Sequence, residues 1–173
     1  MAYSRDQLIE RIQQAAAAAG INPAVAVAQL RRESANFRSD VVYGPFVGAA
    51  GERGLAQFTP GTWARFGSGA HTNAYDLDAS IAAYLNYMGY LLRLFSGDYA
   101  KALTGYNGGE GHLTDPGKYG PPSQAAQRYA REVLQQAGAG AAPLDDDDGG
   151  SDWLSYVPYL AGAGLLVWFL VDD

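Results

Sequence analysis

The 173-residue sequence contains no cysteine. Disulfide frameworks, thiolate zinc sites and thiol nucleophiles are all excluded by that one absence, and redox chemistry says nothing about compartment. Only two histidines occur, His71 and His112, each alone in a glycine-containing stretch. Neither has a second histidine at zinc-binding spacing, so no metal and no cofactor is expected. Gly44, Gly48 and Gly51 form no phosphate loop, because no Gly-Lys-Ser/Thr follows them. The opening residues, MAYSRDQLIERIQQ, are polar with a helical pattern and lack the charged-then-apolar order of an export signal.

Basic clusters are missing as well. The formal charge of −6 conceals an uneven spread: all 12 Lys and Arg precede Glu132, beside 11 Asp and Glu counted through Glu132. Residues 1–144 therefore carry about +1, and the remaining 7 acids (Asp145 to Asp148, Asp152, Asp172 and Asp173) belong to the tail. A near-neutral body without a Lys/Arg patch is a poor binder of nucleic acid, and no such partner is expected. It would not repel an anionic polymer either.

Three regions differ in composition. Residues 1–136 are mixed and globular in character. Residues 137–152, AGAGAAPLDDDDGGSD, read as a solvated flexible linker. A calcium loop is the sharper reading of the four aspartates, but that pattern needs Glu at its twelfth position, and Tyr156 stands there when counting starts at Asp145. Residues 153–171, WLSYVPYLAGAGLLVWFLV, carry no charge. At helical rise they would span roughly 28 Å, close to the hydrocarbon thickness of a bilayer. Trp153, Tyr156, Tyr159 and Trp168 fall toward the ends, and Pro158 lies near the start. The expectation is a single C-terminal transmembrane helix in a lipid bilayer; a buried core helix or docking peptide is the alternative. Both flanks are acidic, so its orientation stays open.

Within residues 1–136 the signals are helical. Ser4 with Gln7 makes a capping box for a helix to about Ala19, stopped by Gly20. Asn22-Pro23 is an N-cap followed by proline at the first position, opening a helix to about Ser34. Glycines with Val, Tyr and Phe over residues 40–56 suggest a long loop or short hairpin. Pro60 and Thr62 open a short helix, Asp78 or Ser80 caps a longer one to about Phe95, and further helices are expected near 98–106 and 123–136. The expected fold is mainly α, with one irregular or β-like segment after Glu33.

One carboxylate stands out. At 100° per residue, Ala26, Leu30 and Glu33 fall within about 60° of each other, so Glu33 shares the apolar side near a helix C-terminus. Partial burial and the negative end of the helix dipole both disfavour its charged form, so a raised pKa is expected. A protonated carboxyl near neutral pH is what general-acid chemistry needs. By itself the feature is a weak signal, since a Glu at a helix end is usually a solvated surface acid.

Four short motifs follow in order: ESA at 33–35, GLAQFTP at 54–60, GYNGG at 105–109 and RYAREVL at 128–134. This order resembles the lysozyme-like lytic transglycosylase domain of the soluble lytic transglycosylase type, over roughly residues 5–136. That family has Glu-Ser at a helix end, then Gly-Leu-Met-Gln, then Ala-Tyr-Asn-Ala-Gly or a variant, then a tyrosine in the last helix. The resemblance implies a lysozyme-like fold and an enzyme that cleaves peptidoglycan between N-acetylmuramic acid and N-acetylglucosamine. It implies Glu33 as general acid and then base, taking a proton from the sugar's 6-hydroxyl to close a 1,6-anhydro ring, so that no second carboxylate is compulsory. Ser34, Gln57, Tyr106, Asn107 and Tyr129 would be substrate-binding, with Tyr129 near the Glu33 carboxylate. For Ser34 a simple cap of the helix end is the competing reading, and for Tyr129 a core tyrosine.

Two departures bear on this. Ala56 stands where the family has Met, and the stretch from Glu33 to Gln57 is long. Inside it lies Glu52, a possible second carboxylate that would make the enzyme a hydrolytic muramidase; a solvated loop charge is the alternative. Tyr106, Tyr119 and Tyr129 suit a sugar cleft, whereas Tyr84, Tyr87 and Tyr90 on one helix read as core or interhelical contacts. A non-catalytic structural membrane protein is the reading from another class. A tail span without an export signal suggests a virion membrane, with other virion membrane proteins as candidate partners. The expected role is then a bacteriophage entry enzyme, with a bacterial cell-envelope protein as the alternative setting.

Overall fold

The computed structural model describes residues 3–67 and 73–138. Ser4 opens α1 (Arg5–Ala18) through the expected capping box: its Oγ accepts from the Gln7 N–H while the Gln7 side chain accepts from the Ser4 N–H at 2.9 Å. In α2 (Pro23–Glu33), Asn22 Oδ1 accepts from the Ala24 and Val25 N–H groups, and Pro23 needs no partner at the first position. Leu8, Ile12 and Ala16 recur at helical spacing and are buried; Val25, Ala26, Ala28 and Leu30 do the same on α2, and the two helices pack together. Each large side chain so buried stabilises by about 1.5–3 kcal/mol.

Residues 40–56 form the long loop of the two expected forms, with no hairpin. Ser39–Val42 form a one-turn helix, α3, with Val41 and Val42 buried. Among the described residues the pairing is reduced to a single antiparallel bridge between Arg53 and Phe58. Val41 and Val42 face inward from that helical turn, whereas Val47 is exposed. Thr59 Oγ1 caps α4 (Pro60–Phe66) through the Thr62 N–H. The cap of α5 (Leu77–Leu94) is Asp76, whose carboxylate accepts from the Ala79 N–H at 2.9 Å. The expected cap Asp78 instead takes the Arg11 guanidinium at 2.6 Å.

Contacts divide the chain within α5 into two units, Met1–Tyr90 and Leu91 onward. The first is built on α1 to α4 and most of α5, around Ile12, Val25, Leu30, Val41, Leu55, Tyr84 and Met88. The second holds α6 (Tyr99–Gly108), α7 (Gly111–Thr114), α8 (Pro116–Tyr119) and α9 (Gln124–Gln136). There α6 buries Ala102, Leu103 and Thr104, and packs with α9, which buries Ala126, Tyr129, Ala130 and Val133.

The expected fold class needs a correction. The fold is mainly helical, but among the described residues no helix is long and apolar enough to cross a membrane. The longest, α5, carries Asp78, Asn86 and Arg93, and its Ile81, Tyr84, Met88 and Leu91 are buried in the protein. The transmembrane assignment falls on residues 153–171, which lie outside the described residues, as does the linker beyond Gly138.

Candidate active site

Glu33 is the last residue of α2 and is half-buried. Arg31 and Arg32 share its turn, where positive charge complements the negative end of the helix. Immediately beyond, Ala35, Asn36 and Phe37 adopt φ of 50°, 65° and 61°. A left-handed run of side-chain-bearing residues costs about 1–2 kcal/mol each, so the surroundings must impose it. They do so through several bonds. Ser34 is wholly buried; its hydroxyl donates to Leu30 O at 2.6 Å and accepts from the Phe37 N–H at 3.0 Å. Asn36 N–H reaches Arg31 O at 2.7 Å and Arg38 N–H reaches Ser34 O at 2.9 Å. The Arg5 guanidinium donates to Asn36 Oδ1, and that of Arg31 lies 6.0 Å from the Phe37 ring centroid. Ser34 thus spends its hydroxyl on the turn that follows the acid.

The turn continues into a second brace. Arg38 grips Asp40 with two bonds, Nε to Oδ1 at 2.6 Å and Nη2 to Oδ2 at 2.9 Å, and lies over the Phe46 ring. Hydrogen bonding from Arg38 holds the Asp40 carboxyl below its ordinary range. One turn before Glu33, the fully buried Gln29 accepts the Tyr84 O–H at 3.0 Å. This bond ties α2 to α5 behind the acid. Tyr87 stacks on Phe66 at 4.4 Å, in keeping with the interhelical role expected for that helix's tyrosines.

Gln57 lies in a closed turn. Arg53 and Phe58 exchange backbone bonds, Leu55 and Ala56 point into the core, and Gln57 takes φ of 47°. Its Nε2–H donates to Gly54 O at 2.9 Å, which fixes the half-buried side chain. Glu52 turns its carboxylate back into its own loop, accepting from the Ala50 N–H at 2.8 Å and packing over Gly48. Among the described residues no three acidic or histidine side chains gather as a metal would require.

In the second unit, Tyr106 and Asn107 occupy the last turn of α6, both half-buried. Tyr129 lies at 1% exposure on the face of α9 that is buried, as Ala126, Ala130 and Val133 are. The structure therefore brings Glu33 and Ser34 together at the end of α2, and Tyr106 and Asn107 together at the end of α6, with α9 packed along the latter helix. Two short helices that sequence reading missed, α7 and α8, carry His112 and Tyr119 directly after the Asn107 turn. Asp115-Pro116, with the Asp115 side chain accepting from the Lys118 N–H, is the same cap-then-proline signal that marked α2.

Comparison with known proteins adds a family. The model described as "Transglycosylase SLT domain" matches residues 10–129. A solved structure of an inactive mutant of the lytic transglycosylase Slt from Pseudomonas aeruginosa superposes with a TM-score of 0.58 at 23% identity, over 76% of this chain. The 70 kDa soluble lytic transglycosylase of Escherichia coli does so with a TM-score of 0.57 at 22% identity, over 78% of this chain. At that identity the likeness shows a common fold. This chain spans 23% of the length of each of those two proteins.

Proposed function

Because the chain belongs to the transglycosylase SLT domain family, we propose that it is a peptidoglycan lytic transglycosylase with Glu33 as its single acid and base. The observation that carries this reading is the half-buried Glu33 at the end of α2, backed by Gln29 and fixed in place by a strained turn that Ser34 pins. Strain held beside one carboxylate is the signature of a side chain whose position matters. Glu33 protonates the bridging oxygen as the bond from the N-acetylmuramic acid C1 breaks. The resulting carboxylate then takes the proton of the 6-hydroxyl as that oxygen bonds to C1, giving the 1,6-anhydro end. Gln57, Tyr106 and Asn107 contact the glycan, and Ser34 holds the turn. Glu52, engaged with the Ala50 N–H, acts as a loop brace, which supports chemistry with one carboxylate.

The test is mass spectrometry of muropeptides released from sacculi by the full chain. Anhydro ends are expected. Reducing ends would turn the reading to a hydrolytic muramidase, and no release would remove it. Glu33→Gln should lower the rate by about 10²–10⁴-fold, the usual worth of a positioned acid. The relative from Pseudomonas aeruginosa whose structure was solved as an inactive mutant carries Gln in place of a Glu, the same exchange. A phage entry role is the proposed setting, a reading that stands on the sequence alone. Detection of the chain in purified virions supports it, and its presence only in uninfected cells removes it.

A further inference from the structure

We infer that His112 and Tyr119 form a sugar-binding platform directly after Asn107, taking one N-acetylated hexosamine ring of the glycan. The inference rests on the reading of the substrate as peptidoglycan and extends it to two residues outside the family's motifs.

The geometry lies wholly within the second unit. His112 Nδ1 stands 3.1 Å from Gly120 O. A carbonyl can only accept, so Nδ1 carries the proton, and in the neutral ring Nε2 is left as an acceptor directed away from Gly120. The ring of Tyr119 meets that of His112 edge to face, with centroids 6.3 Å apart and planes at 61°. One side of the Tyr119 ring rests on the backbone of Gly111, where a Cβ would stand 3.0–3.3 Å from three of its carbons. Only glycine lets the phenol lie that close to the chain. The Lys118 ammonium lies 4.9 Å from the same ring centroid. Among the described residues these are the ring and cation neighbours of Tyr119, and both His112 and Tyr119 remain half-exposed.

The parts suit an acetamido sugar. An aromatic face packs on the C–H face of a pyranose, and an acceptor nitrogen beside it suits an amide N–H or a hydroxyl. Asn107, in the last turn of α6 and five residues before His112, adds a side-chain donor and an acceptor. An isolated core histidine would need neither the outward nitrogen nor the glycine seat of the phenol.

Paired substitutions separate ligand contact from loop bracing. His112→Asn places an amide N–H where Nδ1 was, keeping the bond to Gly120 O and removing Nε2; His112→Gln does the reverse. In the full chain acting on glycan strands, His112→Asn should raise KM about fivefold with kcat and Tm unchanged, the effect of one lost hydrogen bond. His112→Gln should keep KM near the wild-type value and lower Tm. Tyr119→Leu should raise KM by a similar factor. If His112→Asn matches the wild type while His112→Gln alone is impaired, His112 merely braces the loop and the inference is overturned. A binding measurement covers the case in which Tyr119→Leu does not fold. Titration of the wild type with an N-acetylglucosamine tetramer should move the His112 ring resonance, one of only two histidine signals in the chain. No movement at saturation also overturns the platform. A wild type that releases no muropeptides yet shifts its His112 signal would refute the enzyme reading alone.

Discussion

Two helices end beside proposed functional residues, and they end by opposite means. After Glu33 the chain turns through Ala35, Asn36 and Phe37, three side-chain-bearing residues in left-handed backbone. After Asn107 the corresponding turn falls on Gly109, at φ of 89°. Glycine adopts that conformation without steric cost, whereas each of the other three must be forced into it. The first ending is bound by a buried hydroxyl, two guanidiniums and backbone bonds; the second has open space around it, the nearest side-chain atom to a Cβ on Gly109 being His112 Cδ2 at 3.9 Å. The difference matches the two tasks proposed for them. A group that moves a proton must be held within a few tenths of an ångström, while a surface that receives a polymer gains from a turn that can adjust.

The comparison breaks most readily at Ser34. Ser34→Ala removes the acceptor of the Phe37 N–H and the donor to Leu30 O together. The loss should be about 2–3 kcal/mol, because the stranded N–H and the unsupported strain add. Activity should fall about tenfold beyond any loss of folded protein, since the acid's seat loosens. Urea melts and rates normalised to the folded fraction measure the two effects. Unchanged activity would mean that the turn does not position Glu33.

The Asn107 ending should respond differently. Gly109→Ala meets no atom closer than 3.9 Å, so its cost of about 1–2 kcal/mol is conformational. It should appear as lost stability with Glu33-dependent chemistry intact, that is, as a change in KM more than kcat. An equal loss of kcat would erase the contrast drawn between the two turns.

How much of this was legible beforehand follows the same division. The starts of α1 and α2 were readable because Ser4, Gln7, Asn22 and Pro23 carry their signals in side chains that bond to local backbone. The place of Glu33 at a helix end followed from that and from its periodicity. The left-handed run was not readable, since Ala35 and Phe37 have no local preference for it and it is imposed by Ser34, Arg5 and Arg31 from outside. Val41 and Val42, read as part of a long loop or short hairpin, were recruited into a helical turn by burial. His112 was passed over as a lone histidine because its partner is a backbone carbonyl eight residues on, which no residue-type pattern records. The α8 cap at Asp115-Pro116 was readable and was missed.

A smaller effect of opposite sign sharpens the picture. Ala35→Gly relieves about 1–2 kcal/mol of left-handed strain and returns part of it as entropy of the unfolded chain. A net gain of about 0.5 kcal/mol is expected, seen as a higher urea midpoint. If the variant is instead destabilised, the turn is less strained than its φ of 50° implies.

The smallest effect tests the outer brace. Arg38 holds Asp40 bidentately just past the turn, and both side chains are partly exposed, at 34% and 46%. An exposed pair contributes little, so Asp40→Asn should cost below about 1 kcal/mol near neutral pH. The sign with pH follows from the depressed carboxyl: protonation is harder in the folded state than in the unfolded chain. The contribution is therefore present above the ordinary carboxylate range and is lost as pH falls through the lower folded value. Wild type and Asp40→Asn should differ in urea midpoint at neutral pH and converge in strong acid. A gap that stays constant with pH would mean that Asp40 acts through its shape or its backbone bond to the Phe46 N–H, and that its charge plays no part in closing the turn behind Glu33.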